Sequence, residues 1–204
     1  PRGCGDGIYI NTAGVGEMIE GADIAPTNIK ADMDIIVSGT LGDHAATVMA
    51  ARHGLTLPPE IMSDSAPLCR MTAAMLAAAP AIAALRDPTR GGVAASLNEL
   101  AQAAGVGILL DAEAIPVQPA VQGVCDLLGF DPLTLANEGK LLAFVPPADT
   151  ERVLSVMHRD PYGRAACVIG QTTADAAGTV GLRTPLGGIR IVDLPTGELV
   201  PRIC

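Results

Sequence analysis

Two short stretches and one isolated thiol carry side chains with chemical potential. Asp87-Pro88-Thr89-Arg90-Gly91-Gly92 puts a carboxylate, a hydroxyl, a guanidinium and two glycines into one turn. It follows an apolar run and opens a helical pattern, so backbone N–H groups at a helix start are expected to face an anion. Arg90 adds charge, and Gly91 and Gly92 allow close approach, which makes a phosphate the natural guest. The same residues fit a tight turn in which the glycines serve packing and Asp87 or Thr89 caps the helix; Walker A and dinucleotide patterns are both absent. Asn137-Glu138-Gly139-Lys140 precedes a second apolar run, where Glu138 at the lip of a sheet suits a general base, with a solvated polar turn as the ordinary alternative. Asp43-His44 is compatible with catalysis, although a helix start is a routine place for Asp. His44, His53 and His158 have no metal-ligand spacing, so no metal ligand is named. Cys204 ends the sequence in a thiol; six extended residues reach on the order of 20 Å, enough for an arm swinging between two sites. Arg202 beside it favours the thiolate.

The elements that must position these groups are short and interleaved. A turn at 30–34 leads into a buried strand at 35–37, and a helix over about 43–53 follows, with Asp43 as N-cap and Gly54 closing it. Ser65 is expected to cap a second helix that runs to about 79 and stops at Pro80. A strand at 82–86 enters the Asp-Pro-Thr-Arg-Gly-Gly turn. Val93, Leu97, Leu100, Ala101 and Ala104 then recur at helical spacing from near Arg90 to Gly105. Strands are expected at 106–110, 141–145, 166–170, 179–182 and 189–192, helices at 119–128 and 149–158, and a strand-like start at Ile8-Tyr9-Ile10. This interleaving predicts an α/β (α+β layered) domain, a mixed sheet covered by helices. Residues 1–33 read as a connecting segment, 34–194 as one domain and 195–204 as a tail.

Composition narrows the function classes. Of 204 residues, 49% are hydrophobic and 17% charged, which excludes a disordered tail. A net charge of −9 argues against nucleic-acid binding. With two Phe, two Tyr and no Trp, the core must be built from Ala, Leu, Ile and Val. The longest apolar run, 71–85, contains Thr72 and Pro80 and falls short of the roughly 20 residues of a membrane span. No charged leader with an apolar run opens the sequence. Five widely spaced cysteines argue against a disulfide framework, so a cytoplasmic protein with free thiols is expected, Cys69, Cys125 and Cys167 being small core residues.

Taken in order, Ser38-Gly39-Thr40-Leu41-Gly42-Asp43-His44, Asp87-Pro88-Thr89-Arg90-Gly91-Gly92-Val93-Ala94, Asn137-Glu138-Gly139-Lys140-Leu141 and Pro201-Arg202-Ile203-Cys204 resemble the second half of the HypE family of hydrogenase-maturation carbamoyl dehydratases. Asn11-Thr12-Ala13-Gly14-Val15-Gly16, Ile169-Gly170 and Gly187-Gly188-Ile189-Arg190 fit as well, so the resemblance spans essentially the whole chain. It implies a fold similar to the C-terminal domain of aminoimidazole ribonucleotide synthetase-like proteins. It also implies that Cys204 carries a carbamoyl group from a carbamoyltransferase, and that ATP drives its dehydration to a thiocyanate. The cyanide then passes to iron on a scaffold complex during assembly of the nickel–iron hydrogenase site. By the same resemblance Glu138 is the base, Asp87, Thr89, Arg90, Gly91, Gly92, Asn137 and Lys140 hold the cofactor, and Asn137 and Lys140 orient the carboxylate. Most ATP and Mg2+ ligands are expected in a preceding domain through which the family forms homodimers, and the present chain by itself is expected to be inactive. Cys4 stands where a Lys is expected, so nothing is carried over there. The alternatives are another ATP-using synthetase or kinase of the wider group, which would not need the final Cys, and a non-catalytic docking domain.

Overall fold

The computed structural model describes residues 11, 13–17, 19–59 and 61–195. In chain order its elements are β1 (Asp34–Val37), α1 (Asp43–Arg52), α2 (Cys69–Ala78), β2 (Ala84–Arg86), α3 (Gly92–Ala104), β3 (Gly107–Asp111), α4 (Pro119–Leu128), β4 (Leu142–Val145), α5 (Pro147–Met157), β5 (Cys167–Thr173), β6 (Val180–Arg183) and β7 (Ile189–Ile191). The strands form one mixed sheet in the order β2-β4-β1-β5-β3-β6-β7. Only the β3–β6 pair is parallel; every other neighbouring pair is antiparallel.

The apolar strands β1 and β4 are buried throughout because both of their faces are covered. Along β4, Leu142 and Phe144 point to the α3 side, where they join Ile35, Val37, Val93, Leu97 and Leu110. Ala143 and Val145 point to the other side, against Met71 and Met75 of α2 and Val153 and Met157 of α5. A third cluster joins α1 to α4 through Ala45, Ala46, Val121, Val124 and Cys125. Alanine does much of this work. Ala84 and Ile35 flank Phe144 in the register, the small side chain leaving room for the ring. Among the described residues no helix is long and apolar enough to cross a membrane.

Pro119 and Pro147 stand in the first turns of α4 and α5, where a missing N–H costs nothing. Gly105 and Gly129 close α3 and α4 in the left-handed region. Two expected caps are corrected. Gly42, with φ +82°, is the N-cap of α1, and Asp43 is its first helical residue, its carboxylate turned toward other partners. Ser65 caps nothing: α2 begins at Cys69 after Leu68, because 61–66 is held as an extended strap elsewhere. Helix α3 likewise starts at Gly92 rather than near Arg90, since 87–91 is used by the turn. Cys125 is buried as expected, but Cys69 is exposed at the first turn of α2 and Cys167 is half-buried. The expected strand at 8–10 lies outside the described residues.

Phe144 is fully buried on a strand covered on both faces. Phe144→Ala is expected to cost about 3–5 kcal/mol through lost transfer energy and a residual cavity. Chemical denaturation followed by circular dichroism measures it; a loss below about 1 kcal/mol would mean that the strand is less enclosed than described.

Candidate active site at one end of the sheet

Register brings the sequence motifs together. Leu142 at the start of β4 faces Val37 at the end of β1 on one side and Arg86 at the end of β2 on the other. Because both pairings are antiparallel, the stretches leaving β1 and β2 and the stretch entering β4 emerge at the same end. Residues 38–44, 87–92 and 137–141 therefore become neighbours. Ser38 seals the junction: its N–H donates to Leu141 O at 3.0 Å, and its hydroxyl accepts from Leu141 N–H at 2.9 Å.

Asn137, 1% exposed, joins all three stretches. Its Oδ1 accepts from Gly42 N–H at 2.8 Å, at the start of α1. Its Nδ2 donates to Pro88 O and to Leu135 O, each at 3.0 Å, and its own N–H donates to Pro88 O at 3.2 Å. Both amide protons are thus spent on backbone, and the side chain acts as a clasp between turns. Gly92 completes the seat. Its φ is +63°, and a Cβ there would come within 2.5 Å of the carbonyl oxygens of Leu133 and Leu135. The glycine at the start of α3 thereby answers to packing against the 3-10 turn Pro132–Thr134. Its N–H donates within the turn to Thr89 O at 3.0 Å. Asp87 and Arg90 are exposed beside it, and the Thr89 hydroxyl donates to Asp87 Oδ2 at 3.3 Å.

On the adjoining turn Glu138 is exposed, whereas Asn137 before it and Gly139 after it are buried. Lys140 runs inward, its side chain 13% exposed, with Nζ 3.7 Å from Asp43 Oδ2 and 3.7 Å from Asp64 Oδ2. Asp43 Oδ2 also accepts from the Thr40 hydroxyl at 2.5 Å, and its Oδ1 accepts from Gln118 Nε2 at 3.1 Å. Buried His44 meets the Ser63 hydroxyl through Nδ1 at 2.8 Å. Lys140 is therefore already opposed by two carboxylates, and its charge is largely answered inside the protein. Asp64 and Ser63 were not singled out in the sequence. The available signal was the long stretch between α1 and α2 with no periodic pattern, since loops of that length are commonly functional. Cys204, with the residues from 196 onward, lies outside the described residues. Pro195, the last described residue, approaches Gly91, its Cγ 3.9 Å from where a Cβ there would stand.

Among the described residues no group of three or more His, Cys, Asp or Glu is gathered closely enough to hold a metal ion. An open depression lined by Arg70, Met71, Ala74, Val156, Arg159 and Asp160 includes none of the motif residues. Burial, reinforced by Asp126 and then Asp131, pushes the Cys125 thiol up from 9.0 to about 11, and burial also raises Cys167. Neither is tuned to be a nucleophile.

Asn137→Ala is expected to cost about 3 kcal/mol by stranding Gly42 N–H and Leu135 O, measurable by denaturant titration; a neutral outcome would mean that water replaces the clasp. Near pH ~8, iodoacetamide should modify exposed Cys69 readily and Cys125 only after unfolding, as read by peptide mass. The pH dependence follows from the raised Cys125 value. The unfolded thiol loses its proton from about 9, while the folded one keeps it to about 11, so the stability linked to it is complete below 9 and fades as pH rises toward 11. Cys125→Ala should flatten that alkaline decline.

Residues 30–183 match the family model of the AIR synthase related protein, C-terminal domain. The carbamoyl dehydratase HypE of Rhodobacter capsulatus is 48% identical over 203 residues, a match that takes in 100% of this chain and 60% of that protein. A solved hydrogenase maturation protein HypE in complex with ATP superposes with a TM-score of 0.83 at 38% identity, over 89% of this chain and 55% of that one. HypE in a HypE–HypF complex gives 0.81 at 40% identity, over 86% and 57%. The chain spans well under two thirds of the length of these relatives. The family match over residues 30–183, together with similarity to these proteins along the whole of this chain, establishes that the chain belongs to the AIR synthase related family as a C-terminal domain of the HypE type.

Proposed function

We propose that this chain supplies the thiol carrier and the base of an ATP-dependent carbamoyl dehydratase in hydrogenase maturation. The observation carrying this reading is the convergence of the three motif stretches on Asn137, with Pro195, the last described residue, beside Gly91. The residues from 196 to Cys204, fully extended, reach about 30 Å from that point, enough to bring the sulfur to Glu138.

In this scheme the Cys204 thiolate attacks a carbamoyl donor, forming an S–C bond and releasing the donor's leaving group. ATP, when bound, would phosphorylate the thiocarbamate oxygen, with ADP leaving and the first N–H proton released to solvent as the C=N bond forms. Glu138, presented to solvent between two buried neighbours, takes an N–H proton as the C–O bond breaks and the nitrile forms. The products are the thiocyanate, ADP, phosphate and a proton. Arg90 and the Thr89 hydroxyl are exposed or half-exposed donors beside the tail's exit and suit the phosphates, with Asp87 next to them. Gly91 and Gly92 let this turn approach its neighbours, and Asn137 holds it in place. Lys140, flanked by Asp43 and Asp64, contributes more to the shape of the Glu138 turn than to phosphate charge.

These residues fit the phosphate end of ATP. Among the described residues no group that could hold Mg2+ is gathered; on the family resemblance most magnesium ligands are expected in a preceding domain. That a relative is solved with ATP and another with HypF supports nucleotide use and a protein donor, taken here as the carbamoyltransferase. Delivery of cyanide to an iron scaffold complex and homodimer formation belong to the same reading of the whole protein, placed in the cytoplasm. The isolated chain is then expected not to turn over.

The test uses the complete protein with its carbamoyltransferase, carbamoyl phosphate and ATP, followed by intact mass. The wild type should gain about 43 Da at Cys204 and then lose water. Cys204→Ala should gain nothing. Glu138→Gln should accept the carbamoyl group yet dehydrate it ~100-fold or more slowly. Dehydration at the wild-type rate in Glu138→Gln would remove Glu138 from its role, and an adduct persisting in Cys204→Ala would overturn the carrier.

A further inference from the structure

Asp64 occupies an unusual position for a residue far from any element end. Its side chain is 3% exposed. One oxygen, Oδ1, accepts from Glu138 N–H at 2.9 Å. The other, Oδ2, is buried with no hydrogen-bond partner and faces Lys140 Nζ at 3.7 Å. The backbone is as closely engaged as the carboxylate. A Cβ on Gly139 would overlap Asp64 O and would come within 2.7 Å of Ala66 N, so this strap lies directly on the peptide that follows Glu138. The strap is pinned on its other side by Ile61 in the α1–α4 cluster and by Ser63 against His44.

Leaving one carboxylate oxygen buried and unbonded is costly unless an opposite charge answers it. Lys140 answers it, at a separation too long for a hydrogen bond. The bonded oxygen goes to the backbone N–H of Glu138, which is exposed between two buried neighbours. We infer that Asp64 is a positioning residue for Glu138: it holds the Glu138 N–H next to the Asn137 clasp, so that the Glu138 backbone is fixed while its side chain stays exposed. This inference rests on the proposed role of Glu138 as base and extends it to a residue outside the motif stretches. The strap and the clasp grip consecutive peptides, and losing either lets the Glu138 carboxylate drift from the substrate N–H that it is proposed to deprotonate. Displacements of about 1 Å cost catalysts up to ~100-fold.

The experiment compares Asp64→Ala, Asp64→Asn and the near-isosteric Asp64→Leu with wild type in the complete protein. One readout is amide hydrogen exchange at Glu138. The other is the single-turnover rate of nitrile formation on pre-carbamoylated Cys204, with the KM for ATP measured alongside. Asn retains an acceptor for Glu138 N–H, whereas Ala and Leu do not. Ala and Leu should lower Glu138 protection by ~10-fold or more and slow nitrile formation by ~10- to 100-fold, with the KM for ATP within ~2-fold. Asn should recover both quantities to within ~5-fold of wild type. Unchanged exchange at Glu138, an effect on the KM for ATP alone, Asn as impaired as Leu, or lost protection with an unaltered rate would each overturn the assignment. If the wild type forms no nitrile, the proposed function fails separately, and exchange at Glu138 still decides whether Asp64 holds that peptide. Leu serves where Ala does not fold, because it keeps the branched skeleton of Asp without the acceptor.

Discussion

A single buried amide organises the functional end of this protein. Asn137 spends its oxygen on the first peptide of α1 and both of its amide protons on carbonyls from two other segments. None of those backbone groups belongs to a sheet ladder or a helix interior, and without the side chain Gly42 N–H and Leu135 O would each need another partner, while Pro88 O keeps the backbone N–H of residue 137. The apolar sheet brings three chain ends close together, but proximity alone leaves turns free to slide. The amide converts a neighbourhood into a defined geometry because its donors and acceptor point in fixed directions.

Charge is arranged around that frame with a clear division of labour. Lys140 lies between two carboxylates within the fold, while Arg90 stands exposed on the other turn. On the proposed reading, an incoming polyphosphate meets positive charge at Arg90 and encounters at Lys140 a group already compensated. Glu138 emerges between these regions. The side chains that hold the turn and the side chains that would meet substrate are thus separate sets, the first buried and the second open.

Much of the fold was legible in the sequence because its signals are local. Pro119 and Gly129 bracket α4 unambiguously, and the continuous apolar run at 141–145 could only be a strand buried on both faces. The two motif turns were visible for the same reason, their residues being adjacent in the chain. What escaped was held by long-range partners. Asp43 and Ser65 both looked like helix caps, yet Asp43 turns to Gln118 and Lys140, and the strap beside Ser65 is fixed by contacts with His44 and Glu138. Asp64 carried no signal beyond its place in the long aperiodic stretch between α1 and α2, since its partners Glu138 and Lys140 lie far away in sequence. At Gly92 the close approach to the carbonyls of Leu133 and Leu135 was likewise invisible, because those residues lie some forty positions away. Cys69 was misjudged because its apolar neighbours face the core while it occupies the outward side of α2.

Residue-resolved hydrogen exchange on wild type and Asn137→Ser tests the organising role of the clasp most directly. A shortened side chain that cannot span all three partners should release the amides of Gly42 and Asn137 together, with protection inside β4 retained. Loss confined to one of those two amides, or none at either, would contradict the account.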